Sequence, residues 1–575
     1  MANFTSSPGV AISEIDNTFL TGQPIQAGAA IIGPTVKGPV EKPTLVTSYS
    51  NYVTLFGDSF ISGGNAYSYL TSIAAYNYFN YGGTSLLVAR VASSSYTSAT
   101  STYMPTASSG PTSGLSPFVL ETISEGIIMN NSGSSVSGAL ASGSTDNVRW
   151  EITNLNTGSG TFNVLIRQGN DTTNSKIVLE AFNNVNLDPN SSRYIAAVIG
   201  DQKLNYDSAN TQMQLSGSYP NSSRYVRVKS VNYPTPNYLN SNGIVSSPLY
   251  TGSLPANGSG SLDGSFTGAI GTTLATSAIN FYDTIAAQTQ GLIGSDYNNM
   301  INLFGNPEAY TFNILFTPGL LNDSHPTQIT NIILNTQNRG DNLFVLDLTS
   351  YSGTITTALT QAQTRDTSYA ATYWPWVRIV DPATGKQVYV PSSTVIPGVY
   401  AFNDKVAAPW FAPAGINRGG LSTVLQAQYK LTQANRDILY ANNINPIATL
   451  PKQGVVVYGQ KTLQKAASAL DRVNVRRLMI EMKNYIRQIA DTVVFEQNTI
   501  TTRNSFIARV TPFLEGIQQK QGLYAYKIVM DDSNNGPAVI DNNQLVGQIY
   551  IQPTRTAEFI SLDFILLPTG AEFPG

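Results

Sequence analysis

Apolar positions in the first ninety residues follow two different rhythms. Ala29 to Gly33 is a short unbroken apolar run closed by Gly33-Pro34, which reads as a buried strand. Ala66 to Asn80 instead places Tyr69, Leu70, Ile73, Ala74 and Tyr76 at helical spacing, and Gly82-Gly83 stops that helix. Ser85 to Val91 then resumes as a buried strand, so this stretch predicts an α/β unit. The same alternation returns with strands at Tyr310 to Phe316 and Asn342 to Leu348 around a helix from Pro326 to Asn338. Trp374 to Pro397 follows neither period and is expected to cross between layers.

From about Ser93 to Ala275 the chain turns to Ser, Thr, Gly and Asn with many turn signals. Short alternating strands are expected at Arg149 to Asn154, Thr161 to Arg167 and Lys176 to Ala181, and that alternation argues for inserted β-rich structure rather than a disordered linker.

The last third is clearer. Thr432 is placed to cap a helix running through Tyr440, with Ile444-Asn445-Pro446 ending it. A longer helix is expected from about Asp471 to Val493. Val475, Leu478, Met479, Met482, Ile486, Ile489 and Val493 fall within an arc of about 100° and form a stripe that must be buried. Arg472, Arg476, Lys483 and Arg487 lie within about 60° of one another beside it. Further on, Ile560, Leu562, Phe564 and Leu566 share one face of an alternating strand that begins at Phe559, with Pro553 and Pro568 on either side. At the other end, Val10, Ile12 and Ile15 belong to a short extended run after the Pro8-Gly9 turn, with no hairpin partner nearby. Both segments read as arms that need an edge to join.

Composition narrows the chemistry. There is no cysteine and one histidine, His325, which excludes disulfides, thiolate metal sites and cysteine nucleophiles. His325, followed by Pro326, is expected to be a surface or capping residue. Gly454 to Thr462 falls one residue out of register with a phosphate loop, because Gln460 separates Gly459 from Lys461, and Val455 to Tyr458 is an apolar run better suited to a buried strand. Asp531, Asp532 and Asp541 stand in sequences typical of turns. No catalytic residue, metal site or cofactor is expected. Charged residues are 12% of the chain and the net charge is -3, which gives no drive toward nucleic acid and suits a surface largely covered by neighbours. No run approaches the roughly 18 apolar residues of a membrane span, and no secretory signal is visible, so no direct membrane insertion is expected. In so sparsely charged a chain, the concentration of Arg472, Arg476, Lys483 and Arg487 favours docking to an acidic partner.

Seven motifs occur in order: PWFAPAGINRG (Pro409 to Gly419), QANRDILYANNINPI (Gln433 to Ile447), VVVYGQKT (Val455 to Thr462), LDRVNVRRLM (Leu470 to Met479), FEQN (Phe495 to Asn498), YKIVMDDSNN (Tyr526 to Asn535) and GQIYIQPTRTAEFISLDF (Gly547 to Phe564). With SPGV at Ser7 to Val10, the series resembles the tail sheath proteins of contractile-tailed bacteriophages. The resemblance covers roughly residues 1–92 and 300–575. It implies an α/β (α+β) multidomain fold whose core is built from both chain ends, with β-rich insertion and extended terminal arms. The expected division is an arm at 1–20, core at 21–92 and 276–405, insertion at 93–275, a C-terminal sheath domain at 406–553 and an arm at 554–575. The implied function is a structural subunit, not an enzyme. It polymerises as a six-start helix around the tail tube and contracts to drive the tube through the host envelope during genome ejection.

The implied partners are many copies of the same chain, the inner tail tube protein, and baseplate and tail terminator proteins, in a virion tail assembled in the host cytoplasm. Arms pairing between subunits would involve Val10, Ile12, Ile15, Phe559, Ile560, Leu562, Phe564 and Leu566, and the basic helix face would meet the tube. A non-viral contractile injection system would share all of these features. A virion surface or receptor-binding protein would share the polar β-rich middle without needing the arms.

Overall fold

The computed structural model describes residues 25–93, 95–108, 114–134, 137–260, 262–271 and 280–559. The arm positions Val10, Ile12 and Ile15, and Ile560, Leu562, Phe564 and Leu566, lie outside the described residues.

Strands β1 (Ile25–Gly33), β2 (Thr44–Val46), β3 (Leu86–Arg90), β4 (Tyr310–Leu321), β5 (Leu343–Asp347), β6 (Ala370–Trp374), β7 (Asn445–Leu450) and β8 (Gly454–Val457) form one eight-stranded sheet. Its order is β2-β3-β1-β4-β5-β6-β7-β8. The six inner strands run parallel, and antiparallel β2 and β8 close the two edges. Parallel strands covered on both faces need apolar residues at every position, and β3, β5 and β6 are buried throughout.

Alternate residues feed two cores. Ile31, Val88, Phe316, Val345 and Tyr373 point to one face, and Ile32, Leu87, Leu315, Phe344 and Trp374 to the other. Helices α1 (Tyr49–Phe56), α2 (Leu70–Asn80), α3 (Pro326–Arg339), α4 (Ile355–Gln363), α5 (Ile396–Val406) and α6 (Gln433–Ala441) cover them. Tyr52, Phe56, Ile73 and Tyr400 place α1, α2 and α5 on the first face. Ile329, Ile332, Ala358 and Leu439 place α3, α4 and α6 on the second. The result is a three-layer α/β core. The sheet takes β7 and β8 from beyond residue 405, so its strands extend past the expected core boundary there.

Helix α2 starts later than the periodicity suggests, because Asn65–Tyr67 pairs with Phe60–Ser62 as a small hairpin. Between β3 and β4 the chain builds a separate hydrophobic cluster around Phe118, Trp150, Phe162, Val164 and Val226. A four-stranded and a three-stranded sheet supply it, the latter from Val148–Asn156, Thr161–Gln168 and Val178–Asn186. An ion cluster is sealed inside this region. Arg167 Nε donates to Asp171 (2.8 Å), Arg167 Nη1 to Glu151 (3.0 Å) and Arg149 Nη1 to Asp171 (3.2 Å).

Asp347 ends β5 fully inside the core. Its carboxylate accepts from the Ser393 amide (3.0 Å), Ser393 Oγ (2.5 Å) and Ser392 Oγ (3.2 Å). Burial outweighs these bonds and pushes the carboxyl up to about 6. Between about pH 4 and 6 the folded chain therefore binds more protons at this site than the unfolded chain, so the Asp347 contribution to stability falls as pH rises through that window. Asp347→Asn removes the titration. In urea unfolding, the stability of Asp347→Asn relative to the parent should rise from pH 4 to pH 7, by up to roughly 3 kcal/mol. An unchanged difference would contradict the assignment.

Candidate assembly interface

Beyond the core, helices α7 (Val473–Asp491) and α8 (Ile500–Gln519) pack on an antiparallel pair, β9 (Leu523–Val529) and β10 (Gln548–Pro553). The stripe predicted on α7 is real. Leu478 and Met482 are buried against Phe506, Val510, Leu514 and Leu523, with Ile486, Ile489 and Val493 partly buried at the margin. In β10, Ile549 and Ile551 face this cluster, while Gln548, Tyr550 and Gln552 face outward. Among the described residues no third strand joins β9 or β10, so both outer edges of the pair present backbone N–H and C=O groups without a strand partner. Trp410, from the first motif, ties this unit to the core. Its Nε1 donates to Lys520 O (3.0 Å), and its own carbonyl accepts from Asn474 Nδ2 (3.2 Å).

The basic residues of α7 do not form one free face. Arg476 is 4% exposed. Its guanidinium lies 4.0 Å from the centre of the Tyr369 ring and donates to Ser368 Oγ, and burial lowers its pKa. The expectation that Arg476 stands on a partner-facing surface is therefore corrected: the 368–369 turn packs over the first turns of the helix and takes this side chain inside. Arg472 is half-buried in ion pairs with Glu558 and Asp471. Lys483 and Arg487 remain exposed, with Lys483 Nζ 3.1 Å from the Tyr369 hydroxyl. Arg487 lines an open cavity of about 820 Å³ together with Glu308, Asp341 and Asp491.

Arg477, which the helical pattern did not single out, is the anchor of this helix. It is buried, pairs with Asp404 of α5 at 2.5 Å, and sits 4.8 Å from the Tyr400 ring centre. Burial works to lower the pKa of this guanidinium, but Asp404 and the nearby tyrosines hold it above its ordinary value. No periodicity marks Arg477; its adjacency to Arg476 in a helix, about 100° around the axis, was the available signal.

A second cluster gathers one residue from each of four motifs. Tyr440 Oη (2.8 Å), Gln460 Nε2 (3.0 Å) and Arg472 Nε (2.8 Å) all donate to the Glu558 carboxylate. Gln460 Nε2 also donates to Thr556 Oγ1 (2.6 Å). Burial acts to raise the Glu558 carboxyl, but these bonds outweigh it and keep the pKa below its ordinary value. Phe559, the one position of the expected carboxyl-terminal strand that is described, is 83% exposed.

Residues 465–566 match the model of the phage tail sheath C-terminal domain. The chain is 39% identical over 207 residues, 36% of its length, to the tail sheath protein of Vibrio phage KVP40, and 40% identical over 185 residues, 32% of its length, to that of Enterobacteria phage T4. The chain carries a phage tail sheath C-terminal domain. It spans about a third of the length of these relatives, 31% of the Vibrio phage protein and 28% of the Enterobacteria phage protein. The fold is that of the sheath tail protein Lin1278 from Listeria innocua, with a TM-score of 0.50 at 10% identity over 92% of this chain and 95% of that one.

Around the sheath domain the chemical alternatives resolve structurally. His325 is buried rather than on the surface. It precedes α3 in the capping position without a side-chain cap, while its Nδ1 accepts from the Leu321 amide (3.2 Å) and its Nε2 donates to Ala287 O (3.1 Å). Burial lowers its pKa and favours the neutral ring. Val455 to Val457 are the buried part of β8, and the Lys461 ammonium lies 4.7 Å from the Tyr440 ring centre rather than facing a phosphate cradle. Asp531 accepts from the Ser533 amide (2.9 Å) in a turn, and Asp532 pairs with Arg503 (2.8 Å). Among the described residues no three His, Asp or Glu side chains converge as a metal site.

Arg477→Ala should lower the stability of the sheath domain by about 2–3 kcal/mol, less than the roughly 3–5 of a fully buried pair because Asp404 is about a third exposed. Arg476→Glu should also destabilise it, whereas Lys483→Glu and Arg487→Glu should stay within about 0.5 kcal/mol of the parent. Chemical unfolding of the four variants checks this ordering.

Proposed function

We propose that this chain is a structural tail sheath subunit, without catalytic activity, that polymerises as a six-start helix around a rigid inner tube and contracts to drive the tube through a host envelope. The observation that carries this reading is the two-stranded β9-β10 sheet, whose edges have no strand partner among the described residues, inside the region that matches the phage tail sheath C-terminal domain. Exposed edges recruit strands, and the alternating runs at Val10 to Ile15 and Phe559 to Leu566 have the pattern of strands that would join them in neighbouring copies. Backbone hydrogen bonds would then link subunits, and alternate side chains would fix the register.

On this reading the β-rich insertion at 93–275 faces outward, and the core and the C-terminal sheath domain line the inside. Lys483 and Arg487, exposed on α7, are the basic residues left to meet an acidic tube surface. The remaining partners are baseplate and terminator proteins at the two ends of a virion tail assembled in the host cytoplasm. Contraction needs no nucleotide or metal: the tube holds subunits in an extended state, and its release lets them pack more closely while the arms stay paired. A non-viral contractile injection system would use the same subunit in the same way.

Negative-stain microscopy of the purified protein tests this reading: hollow tubes are expected. Deleting residues 1–16 or 560–575 should leave a folded monomer that does not form them, and wild-type assembly by either deletion would overturn the arm assignment. The double reversal Lys483→Glu/Arg487→Glu should leave sheath-to-sheath polymers intact while weakening attachment to tubes, increasingly so at low salt, where the new like-charge repulsion is least screened. Normal extended tails would place the tube-facing surface elsewhere.

A further inference from the structure

The chain leaves β10 at Pro553 with an unsolved local problem. Five residues, Thr554 to Glu558, separate it from Phe559, where the alternating carboxyl-terminal strand begins. A connection of that length suits a hairpin, and the edge of β10 away from β9 has no strand partner among the described residues. Folding back onto that edge within one chain would be the entropically favoured pairing, since its ends are already joined. It would also occupy the edge that a neighbouring copy needs.

The described geometry directs the segment elsewhere. Thr554 stays with the β9 hairpin, its amide donating to Gly522 O (3.2 Å) and its hydroxyl to Gln521 O (2.7 Å). Thr556 and Glu558 then bind side chains outside the two-stranded sheet: Tyr440 on α6, Gln460 after β8, and Arg472 at the start of α7. Both carboxylate oxygens of Glu558 are engaged, one by Tyr440 and the other by Gln460 and Arg472. Gln460 is 2% exposed, so part of the receiving site is built into the core.

We infer that Glu558 is a positioning residue that pins the root of the carboxyl-terminal arm to the core of its own subunit, committing the arm to pair with a second copy of the chain rather than with β10 of its own. This rests on the arm assignment above.

The test compares the full chain with Glu558→Ala, Glu558→Gln, the charge exchange Glu558→Arg/Arg472→Glu, and the deletion of residues 560–575. Three quantities are read: the thermal midpoint of the monomer, the critical concentration for polymerisation by sedimentation, and hydrogen exchange of the Gln548–Pro553 amides in the monomer. Glu558→Ala should lower the midpoint modestly while leaving the monomer folded at the assay temperature, raise the critical concentration about tenfold or more, the scale of one lost charge-assisted hydrogen bond, and slow exchange along β10 as the arm folds back. Glu558→Gln should fall between it and the parent, and the charge exchange should polymerise better than either of its single substitutions. Polymerisation of Glu558→Ala at the parent's concentration, loss of polymerisation only together with unfolding of the monomer at the assay temperature, or unchanged β10 exchange would each overturn the pin. If the 560–575 deletion polymerises like the parent, the arm assignment itself fails. If that deletion abolishes polymerisation while Glu558→Ala does not, the arm stands and only the pin fails.

Discussion

A sheet of two strands leaves a row of backbone donors and acceptors along each outer edge, and a folded protein must cover such edges or use them. In this chain the core takes the first course, and the proposed assembly gives the sheath domain the second. The eight-stranded sheet closes its parallel interior with short antiparallel β2 and β8 and is covered by helices on both faces. The β9-β10 pair has helices α7 and α8 on one face, while among the described residues its edges have no strand partner. The proposed assembly rests on that asymmetry: the core sheet is capped by short edge strands, and among the described residues the β9-β10 pair has none.

The core and the helical pair meet where α7 reaches α5. Two kinds of contact serve there. Trp410, on the loop that follows α5, hydrogen-bonds to both helices of the pair, through its ring to Lys520 at the end of α8 and through its carbonyl to Asn474 of α7. Arg477 reaches Asp404 from inside the interface, where its guanidinium also lies against Tyr400. Breaking a buried ion pair leaves a charge stranded, so a shear that separated α7 from α5 would be costly. These contacts join the sheath domain to the core through both a hydrogen-bonded loop and a buried ion pair.

Much of the fold was legible in the sequence. The buried strands expected at Ser85 to Val91 and Asn342 to Leu348 announced an α/β core, and the stripe on α7 gave the packing of the helical pair. The helical wheel failed at Arg476. It grouped this residue with Lys483 and Arg487 by angle alone, and angle says nothing about the turn at Ser368 and Tyr369 that covers one end of the helix and leaves the other free. His325 stands in the capping position that was one of its two expected places, and the surface alternative failed because the Leu321 and Ala287 backbone packs against the ring. Glu558 was invisible because Tyr440, Gln460 and Arg472 stand 118, 98 and 86 positions away. The trace it left is that each of the four residues falls within a different sheath-like motif.

The central claim, that the β9-β10 pair is completed by arms from other copies, is tested most directly by electron cryomicroscopy of the assembled polymer at a resolution that traces the backbone. The account predicts a sheet of more than two strands in which β9 and β10 are flanked by segments containing Val10 to Ile15 and Phe559 to Leu566 of neighbouring subunits. A polymer in which β9 and β10 remain a two-stranded pair, or in which the added strand belongs to the same chain, would contradict it.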